Sequence, residues 1–258
     1  MAGSIIIATS ESEQLELRSI SSLQHEVWVN KAWADIKAAP LISLGYGLVC
    51  AIAIMALLYW VSQHTQFIMS VISGFFFISP FLVIGIYDIS RQLQRGEKPS
   101  LLHIIHSWDT RLNSVMQLIV IPVIIMAIWA RMTMVFVALF FAKDVVMEDD
   151  KLLHMLMASD HAAMFFIFYF SIVACITAFI YAITLISLPI CFDRNVDCVT
   201  AAVCSFRIVM NNLPLMSKWA GIVLLYSGFG FATMGLGFII TIPLLGHATW
   251  HAYQDLVG

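Results

Sequence analysis

Five long apolar blocks constrain this chain more than any other feature of its sequence. Each block exceeds the ~20 helical residues needed to cross ~30 Å of hydrocarbon, and the charged residues lie almost entirely between the blocks. Only 11% of the 258 residues are charged, whereas about a quarter are charged in an ordinary soluble domain. The sequence therefore predicts an all-α, polytopic membrane helix bundle. The blocks are Leu41–Val61, Phe67–Ile89, Val115–Phe141, Ala162–Phe192 and Trp219–Leu245.

The distribution of Lys and Arg predicts how the bundle is oriented. Ten basic residues fall on one side of the blocks and two on the other, and an excess of basic residues marks the cytoplasmic side. We therefore expect a multi-pass protein of the bacterial inner membrane with a cytoplasmic amino terminus. Its partners would be the lipid bilayer and other membrane proteins or a homo-oligomer, and no nucleic acid. The ten are Arg18, Lys31, Lys37, Arg91, Arg95, Lys98, Arg111, Arg194, Arg207 and Lys218.

An internal repeat bears on the fifth block, which is too long for one straight span and too short for two. In the second, fourth and fifth blocks a proline near the end is followed within eight residues by a polar or ionisable group. Three equivalent helix ends indicate three copies of one unit, an interfacial segment followed by a helical hairpin. We predict six transmembrane helices, with the last hairpin beginning near Asn212 and turning within Gly228–Gly237. The alternative is five helices, the last long and tilted, with an external carboxyl terminus.

The repeat also predicts how the chain is divided. Residues 1–26 are expected to form a mobile polar cytoplasmic tail, and residues 27–258 a single membrane domain. Its three hairpin units would cover about 27–95, 96–193 and 194–258. An amphipathic helix on the cytoplasmic surface would enter each hairpin, over Val27–Ala39, Pro99–Leu112 and Asn195–Asn211.

Helical spacing predicts which faces of the first and third surface helices are apolar or polar. In Val27–Ala39, Val29, Trp33 and Ile36 share the apolar face, and Asp35 is expected on the polar face with Lys31 and Lys37. In Asn195–Asn211 the predicted polar stripe contains Asp197, Arg207 and Asn211, together with Thr200 and Cys204. Solvated faces explain these patterns, and a surface that docks a partner is the alternative.

Two histidines form the strongest candidate for a functional site. His247 and His251 are spaced i and i+4, so they project from one helix face, with Asp255 one turn further along. Hydrogen-bonding histidines, a divalent metal site and a haem site all fit this spacing. His103, His106 and Asp109 would complete the cluster if the second surface helix folded beneath the bundle. We predict no cofactor, with a metal or haem as the open alternative.

Two acidic residues follow the proline-containing helix ends. We expect Asp88 and Asp193 to cap these ends or to pair with Arg91 and Arg194.

The sequence contains no Gly-x-Ser-x-Gly, His-Glu-x-x-His or phosphate-loop motif, so we predict that the chain is not an enzyme. Three functions remain: a non-catalytic membrane component or assembly factor for other membrane proteins, a small-solute transporter or channel, and a metal- or haem-binding redox accessory using His247 and His251.

Three motifs give the chain a family resemblance. They are Gly246–Tyr253 (Gly-His-Ala-Thr-Trp-His-Ala-Tyr), Tyr87–Arg91 (Tyr-Asp-Ile-Ser-Arg) and Ser205-Phe206-Arg207-x-x-x-Asn211. With them the chain resembles the predicted bacterial integral membrane proteins called domain of unknown function 2189, over nearly all residues after Ala32. The resemblance implies location and topology but no established activity. Some relatives are labelled as cytochrome c oxidase subunit I, which would imply haem and copper, but the histidines of this chain lie mostly at the ends of its apolar blocks.

Overall fold

A computed structural model describes residues 5–8, 14–18, 20, 23–64, 67–141, 162–194 and 196–257, with the side chains of residues 5–17 and 101–115 left out. Two short antiparallel strands, β1 (Ile5–Ala8) and β2 (Gln14–Leu17), pair with Ile5 opposite Leu17. A 3₁₀ segment at Ser79–Val83 joins the third and fourth helices. The helices are α1 (Gln24–Ala38), α2 (Pro40–Ser62), α3 (Ile68–Ile78), α4 (Ile84–Gln94), α5 (Leu101–Phe141), α6 (Ala162–Thr184), α7 (Ser187–Asp193), α8 (Cys198–Asn211), α9 (Leu213–Ala232) and α10 (Phe238–Leu256).

The helical content confirms the predicted all-α polytopic bundle. Within the described ranges, five segments are long and apolar enough to cross a membrane. Four of them correspond to the first four apolar blocks, and α9 covers about the first half of the fifth. Helix α10 is not among the five. The segments are Pro40–Ser62, Ile68–Gln94, Met116–Phe141, Ala162–Asp193 and Leu213–Ala232.

The fifth apolar block is divided between two helices, as the hairpin prediction requires. Helix α9 ends at Ala232 and α10 begins at Phe238. The turn between them needs positive φ at Met234 (55°) and at Gly235 (98°), and glycine adopts such a conformation without steric cost. The Gly235 amide donates to the Gly230 carbonyl at 2.9 Å, which satisfies one free acceptor at the helix end. A single long, tilted helix is therefore wrong for this block.

The second predicted surface helix is not a separate element. Helix α5 runs without a break over 41 residues, so Pro99–Leu112 was wrong as an independent helix. The physical reason is that its sequence contains no proline or glycine between Leu101 and Pro122. Helix α1, by contrast, ends just before Pro40, because a proline disfavours helical backbone at the residue that precedes it. Pro214 instead lies in the first turn of α9, where its missing N–H leaves no helical hydrogen bond unmade.

The contacts divide the chain into two compact units. One contains residues 56–79 and 119–181. Its centre is the Trp129 indole, whose Nε1 donates to the Ser73 hydroxyl at 2.8 Å, and that hydroxyl lies 3.1 Å from the Tyr169 hydroxyl. The pairing satisfies three polar groups inside an apolar cluster. The cluster consists of Phe77, Trp129, Phe141, Phe165, Tyr169, Val173 and Ile180.

The other unit contains residues 1–55, 80–118 and 182–258. Its core is made by α4, α7 and α10, the three helix ends that the repeat had identified as equivalent, and these contact one another. Every residue from Ile84 to Gln92 is buried, as is every residue from Ser187 to Phe192. A helix buried on all sides lies inside a protein core. Around it, α1 packs on α10 and α8 packs on α7.

Candidate functional site

The two predicted histidines converge on an acidic residue of the first helix. His247 and His251 lie one turn apart on α10. The Oδ2 atom of Asp35 is 2.9 Å from His251 Nε2 and 3.5 Å from His247 Nδ1. Asp35 was expected on the polar face of α1 with Lys31 and Lys37. Its side chain is instead mostly buried, with 17% exposed.

The face of α1 that packs on the core differs from the predicted one. Trp28, Ala32 and Ile36 are buried, whereas Trp33 remains 38% exposed. The difference arises because α1 packs against α10, a protein surface that carries two imidazoles. An acidic side chain can face such a surface, since the histidines supply its hydrogen bonds.

Two serines complete the hydrogen bonds of His247. The Ser43 hydroxyl lies 3.0 Å from His247 Nε2, and the Ser90 hydroxyl lies 2.5 Å from Nδ1. Ser90 also donates to Asp35 Oδ2 at 3.2 Å. One assignment satisfies every group: His247 Nδ1–H donates to Ser90, Ser90 donates to Asp35, and Ser43 donates to Nε2. Ser43, Ser90 and His247 are all completely buried.

A second acidic residue fixes the other end of the α1–α10 pair. Asp255 Oδ2 accepts from Trp28 Nε1 at 2.8 Å and from Gln24 Nε2 at 3.0 Å. Lys31 Nζ lies 3.6 Å from its Oδ1. Asp255 was expected beside the two histidines, but it binds α1 instead. The contacts between the two helices are therefore reciprocal. Asp35 of α1 contacts two histidines of α10, and Asp255 of α10 contacts three side chains of α1 that can donate hydrogen bonds.

The histidines determine the ionisation of Asp35. Burial raises the pKa of this carboxyl, but hydrogen bonds and electrostatic interactions with His247 and His251 outweigh burial, so the pKa falls well below its ordinary value of 3.8. The depressed pKa means that the folded protein holds the proton less tightly than the unfolded chain does. The resulting stability is fully present above the unfolded pKa and is lost as the pH falls through the folded one.

We therefore expect acid to destabilise the protein partly through Asp35. The thermal midpoint of the wild type should fall as the pH drops below about 3.8. The Asp35→Asn variant should be less stable at neutral pH, with a flatter dependence on pH in the acid range. Thermal unfolding in detergent between pH 6 and pH 3 measures both. Equal acid slopes for the two proteins would contradict the assignment.

The predicted helix-end acids are both engaged. The prediction for Asp88 is confirmed, because its Oδ1 lies 2.7 Å from Arg91 Nη2; its Oδ2 also accepts from Gln92 at 2.9 Å. Asp193 accepts from the Tyr253 hydroxyl at 2.8 Å, and Arg194 Nε donates to the same hydroxyl at 3.2 Å. The aspartate and the arginine are therefore joined through a buried tyrosine.

The predicted polar stripe of the third surface helix is interrupted. Asp197, Arg207 and Asn211 are exposed, but Cys204, which lies between them, is completely buried. Asp197 caps α8, since its carboxylate accepts from the Thr200 amide at 2.9 Å. That backbone hydrogen bond lowers the pKa of Asp197.

Sequence reasoning missed Asn212, which holds the amino-terminal segment against the core. Its Oδ1 accepts from the Ile20 amide at 3.1 Å, and its Nδ2 donates to the carbonyls of Arg18 at 3.3 Å and of Ile208 at 3.0 Å. The Arg18 amide in turn donates to the Leu256 carbonyl at 3.0 Å. Nothing in the spacing of the sequence links Asn212 to residues 192 positions earlier.

The predicted metal site combines residues with described side chains and residues without them. In the part of the chain whose side chains are described, no group of three His, Cys, Asp or Glu residues is arranged to hold a metal ion. The side chains of His103, His106 and Asp109 lie outside that part. Whether these three join His247 and His251 stays a prediction.

Ser43, His247 and Asp35 follow the order of a nucleophile, a base and an orienting acid. A nucleophile must reach a substrate, but Ser43 and His247 have no exposed surface. The carboxylate is also 3.5 Å from Nδ1, with Ser90 hydrogen-bonded to both groups. This geometry suits a buried hydrogen-bond network that joins four helices rather than an acyl-transfer site.

The comparisons with known proteins agree with the membrane architecture. The family model described as predicted integral membrane protein (DUF2189) matches residues 67–193, which include Tyr87–Arg91. The Ser205–Asn211 and Gly246–Tyr253 motifs lie beyond the matched residues. No curated protein and no solved structure matches the chain. The family match agrees with the resemblance seen in the sequence: over residues 67–193, the chain is similar to the DUF2189 family of predicted integral membrane proteins.

Proposed function

We propose that this protein is a non-catalytic, multi-pass component of the cytoplasmic membrane that docks another membrane protein through the outward face of α1. The observation that carries the proposal is an exposed tryptophan on a rigidly held helix. Trp33 is 38% exposed, while Asp35, two residues further on, is tied to His251. Tryptophan is among the residues that contribute most to protein–protein binding.

The surroundings of Trp33 resemble a protein interface. Helical spacing places Glu26, Asn30 and Lys37 on the same side of α1 as Trp33, and all three are exposed. An apolar centre with a polar rim is the usual anatomy of a docking surface. The acidic Glu26 on this face also disfavours contact with anionic lipids.

The reciprocal hold on α1 would help binding. Asp35 and Asp255 fix the two ends of the helix, and Trp28, Ala32 and Ile36 bury the face between them. A surface that is already ordered loses less conformational entropy when a partner arrives. The Trp33 face would therefore be presented in a single orientation.

The internal pairing of the acidic residues supports a non-catalytic role. Asp35, Asp88, Asp193 and Asp255 each accept hydrogen bonds from side chains of this same chain. For the redox alternative, both ring nitrogens of His247 lie within hydrogen-bonding distance of serines. Iron or copper binding there would require one of these bonds to break.

The excess of basic residues supports a cytoplasmic position for α1. Ten lysines and arginines fall on the side of the apolar blocks that carries α1, against two on the other. A compartment-sensitive reporter fused to the carboxyl terminus, which the α1–α10 pair places near the same face, should report the cytoplasm. A periplasmic signal would overturn this orientation.

Photo-crosslinking in intact membranes tests the docking face. A photo-reactive residue in place of Trp33 should yield one defined protein adduct. The matched control carries the same residue in place of Ile128, which is 59% exposed on the membrane-spanning part of α5 and should react with lipid alone. Equal protein adducts at both positions, or none at position 33, would sink the proposal.

The Trp33→Ala variant provides a quantitative test. Recovery of the crosslinked partner in mild detergent should fall about tenfold or more, because tryptophan hot spots contribute 2 kcal/mol or more. The thermal midpoint should stay unchanged, since Trp33 does not belong to the buried face of α1. Unchanged recovery of the partner by a folded Trp33→Ala protein would argue against the docking face.

A further inference from the structure

The outward face of α8 carries a second surface, with a different composition. Val199, Val203, Phe206 and Met210 are exposed by 68%, 44%, 41% and 40%. Their spacing of four, three and four residues aligns them in one stripe along the helix. The opposite side of α8 is also apolar and packs in the core. Its buried residues are Ala201, Cys204, Ser205, Ile208 and Val209.

The stripe continues into a membrane-spanning helix. Leu213, the first residue of α9, is 48% exposed, and Leu225 and Phe229 further along α9 are 71% and 52% exposed. Helix α9 is one of the five segments fit to cross a membrane, so its exposed apolar side chains contact lipid. The stripe on α8 therefore extends a lipid-facing surface beyond the end of the span.

Past the capping residue Asp197, the charges beside the stripe all have one sign. Between Val199 and Ala232 the only charged residues are Arg207 and Lys218, and both are exposed. Long basic side chains near a membrane surface reach the headgroups while their stems remain on apolar surface. Anionic phospholipid attracts such residues, and the attraction amounts to about fivefold in binding for each.

We infer that α8 lies in the membrane interface, with its stripe among the acyl chains and with Arg207 and Lys218 at the phosphates of anionic phospholipids. The contrast with α1 supports anionic phospholipid, rather than a protein, as the partner of the α8 stripe. The Trp33 face of α1 mixes Glu26 with basic and amide residues, whereas the α8–α9 surface beyond Asp197 has apolar residues flanked by basic ones alone. Two surface helices of one protein thus face different surroundings.

Fluorescence quenching in vesicles tests the placement of the stripe. A fluorescent amino acid replaces Val203 in the full-length protein, which is reconstituted in phosphatidylcholine and phosphatidylglycerol. A nitroxide on the upper acyl chain should quench it, and aqueous iodide should not. The same probe at Asn211, on the polar flank, should show the reverse. Iodide quenching at position 203, or protection from both quenchers by a protein contact, would overturn the inference.

The lipid class is tested with headgroup-specific quenchers. Nitroxide-labelled phosphatidylglycerol should be enriched about fivefold over labelled phosphatidylcholine around position 203. Replacing both Arg207 and Lys218 with glutamine should abolish the enrichment, and high salt should reduce it. The matched control, Arg95→Gln with Lys98→Gln, removes two exposed charges from the end of α4 and should leave it intact. Equal quenching by the two lipids in the wild type would refute the role of anionic headgroups, whether or not the Arg207 and Lys218 double variant folds.

Discussion

Replacing His247 with alanine is expected to lower the free energy of unfolding by about 3 kcal/mol. The change leaves the buried hydroxyls of Ser43 and Ser90 without their imidazole, opens a cavity in the core, and deprives Asp35 of one of its two basic neighbours. The thermal midpoint in detergent, read by the far-ultraviolet helical signal, should fall by several degrees.

The matched control for this prediction is His64→Ala. His64 lies just beyond the end of α2, where it is partly exposed; its ring stacks on Trp60, and its Nδ1 lies 2.9 Å from the Trp60 carbonyl oxygen. Its loss should cost at most about 0.5 kcal/mol, as for most surface substitutions. Equal destabilisation by the two variants would mean that the buried hydrogen bonds of His247 add little to the stability of the protein.

Adding a methyl group at position 47 should lower the free energy of unfolding about as much as His247→Ala does. A Cβ added to Gly47 would lie 2.2 Å from the carbonyl oxygen of Ile239 and 3.0 Å from Cδ of Pro243. Because Pro243 has no N–H, that carbonyl lacks its usual helical donor, and α2 packs closely against it. Backbone atoms cannot move aside as a flexible side chain can, so Gly47→Ala should destabilise by about 3 kcal/mol.

Gly45→Ala is the matched control on the same helix. A Cβ at Gly45 would meet nothing within 4 Å. Alanine favours helix over glycine by about 1 kcal/mol, so this variant should be slightly more stable than the wild type. Thermal midpoints measured side by side should therefore move in opposite directions. A tolerated Gly47→Ala change would show that α2 and α10 do not approach as closely as described.

Local patterns were sufficient to predict much of the fold. Block length and composition predicted the helical membrane bundle, and the clustered glycines predicted the turn that lies at residues 233–237. The Asp88–Arg91 pair was predictable because its members are three residues apart on one helix. In each case the interaction depends on neighbours in the chain.

The parts that sequence could not supply depend on distant partners. Asp35 was assigned to the polar face because it lies near Lys31 and Lys37, yet its partner His251 is 216 residues away. Tyr253 ends the Gly246–Tyr253 motif, but nothing in that motif shows that its buried hydroxyl donates to Asp193, 60 residues earlier. A single sequence gives the face of a helix from its periodicity, but it does not show which face meets which neighbour.

The reciprocal contacts between α1 and α10 constrain the order in which this protein assembles. Trp28 and Asp255 are 227 residues apart, so the first helix leaves the ribosome long before its partner exists. Contacts of such high sequence separation form late in folding. Until the last helix is synthesised, the apolar face of α1 can contact only α4 and α9 of its protein partners. Any truncation before residue 247 would leave Asp35 without either imidazole and the first helix without its main packing partner.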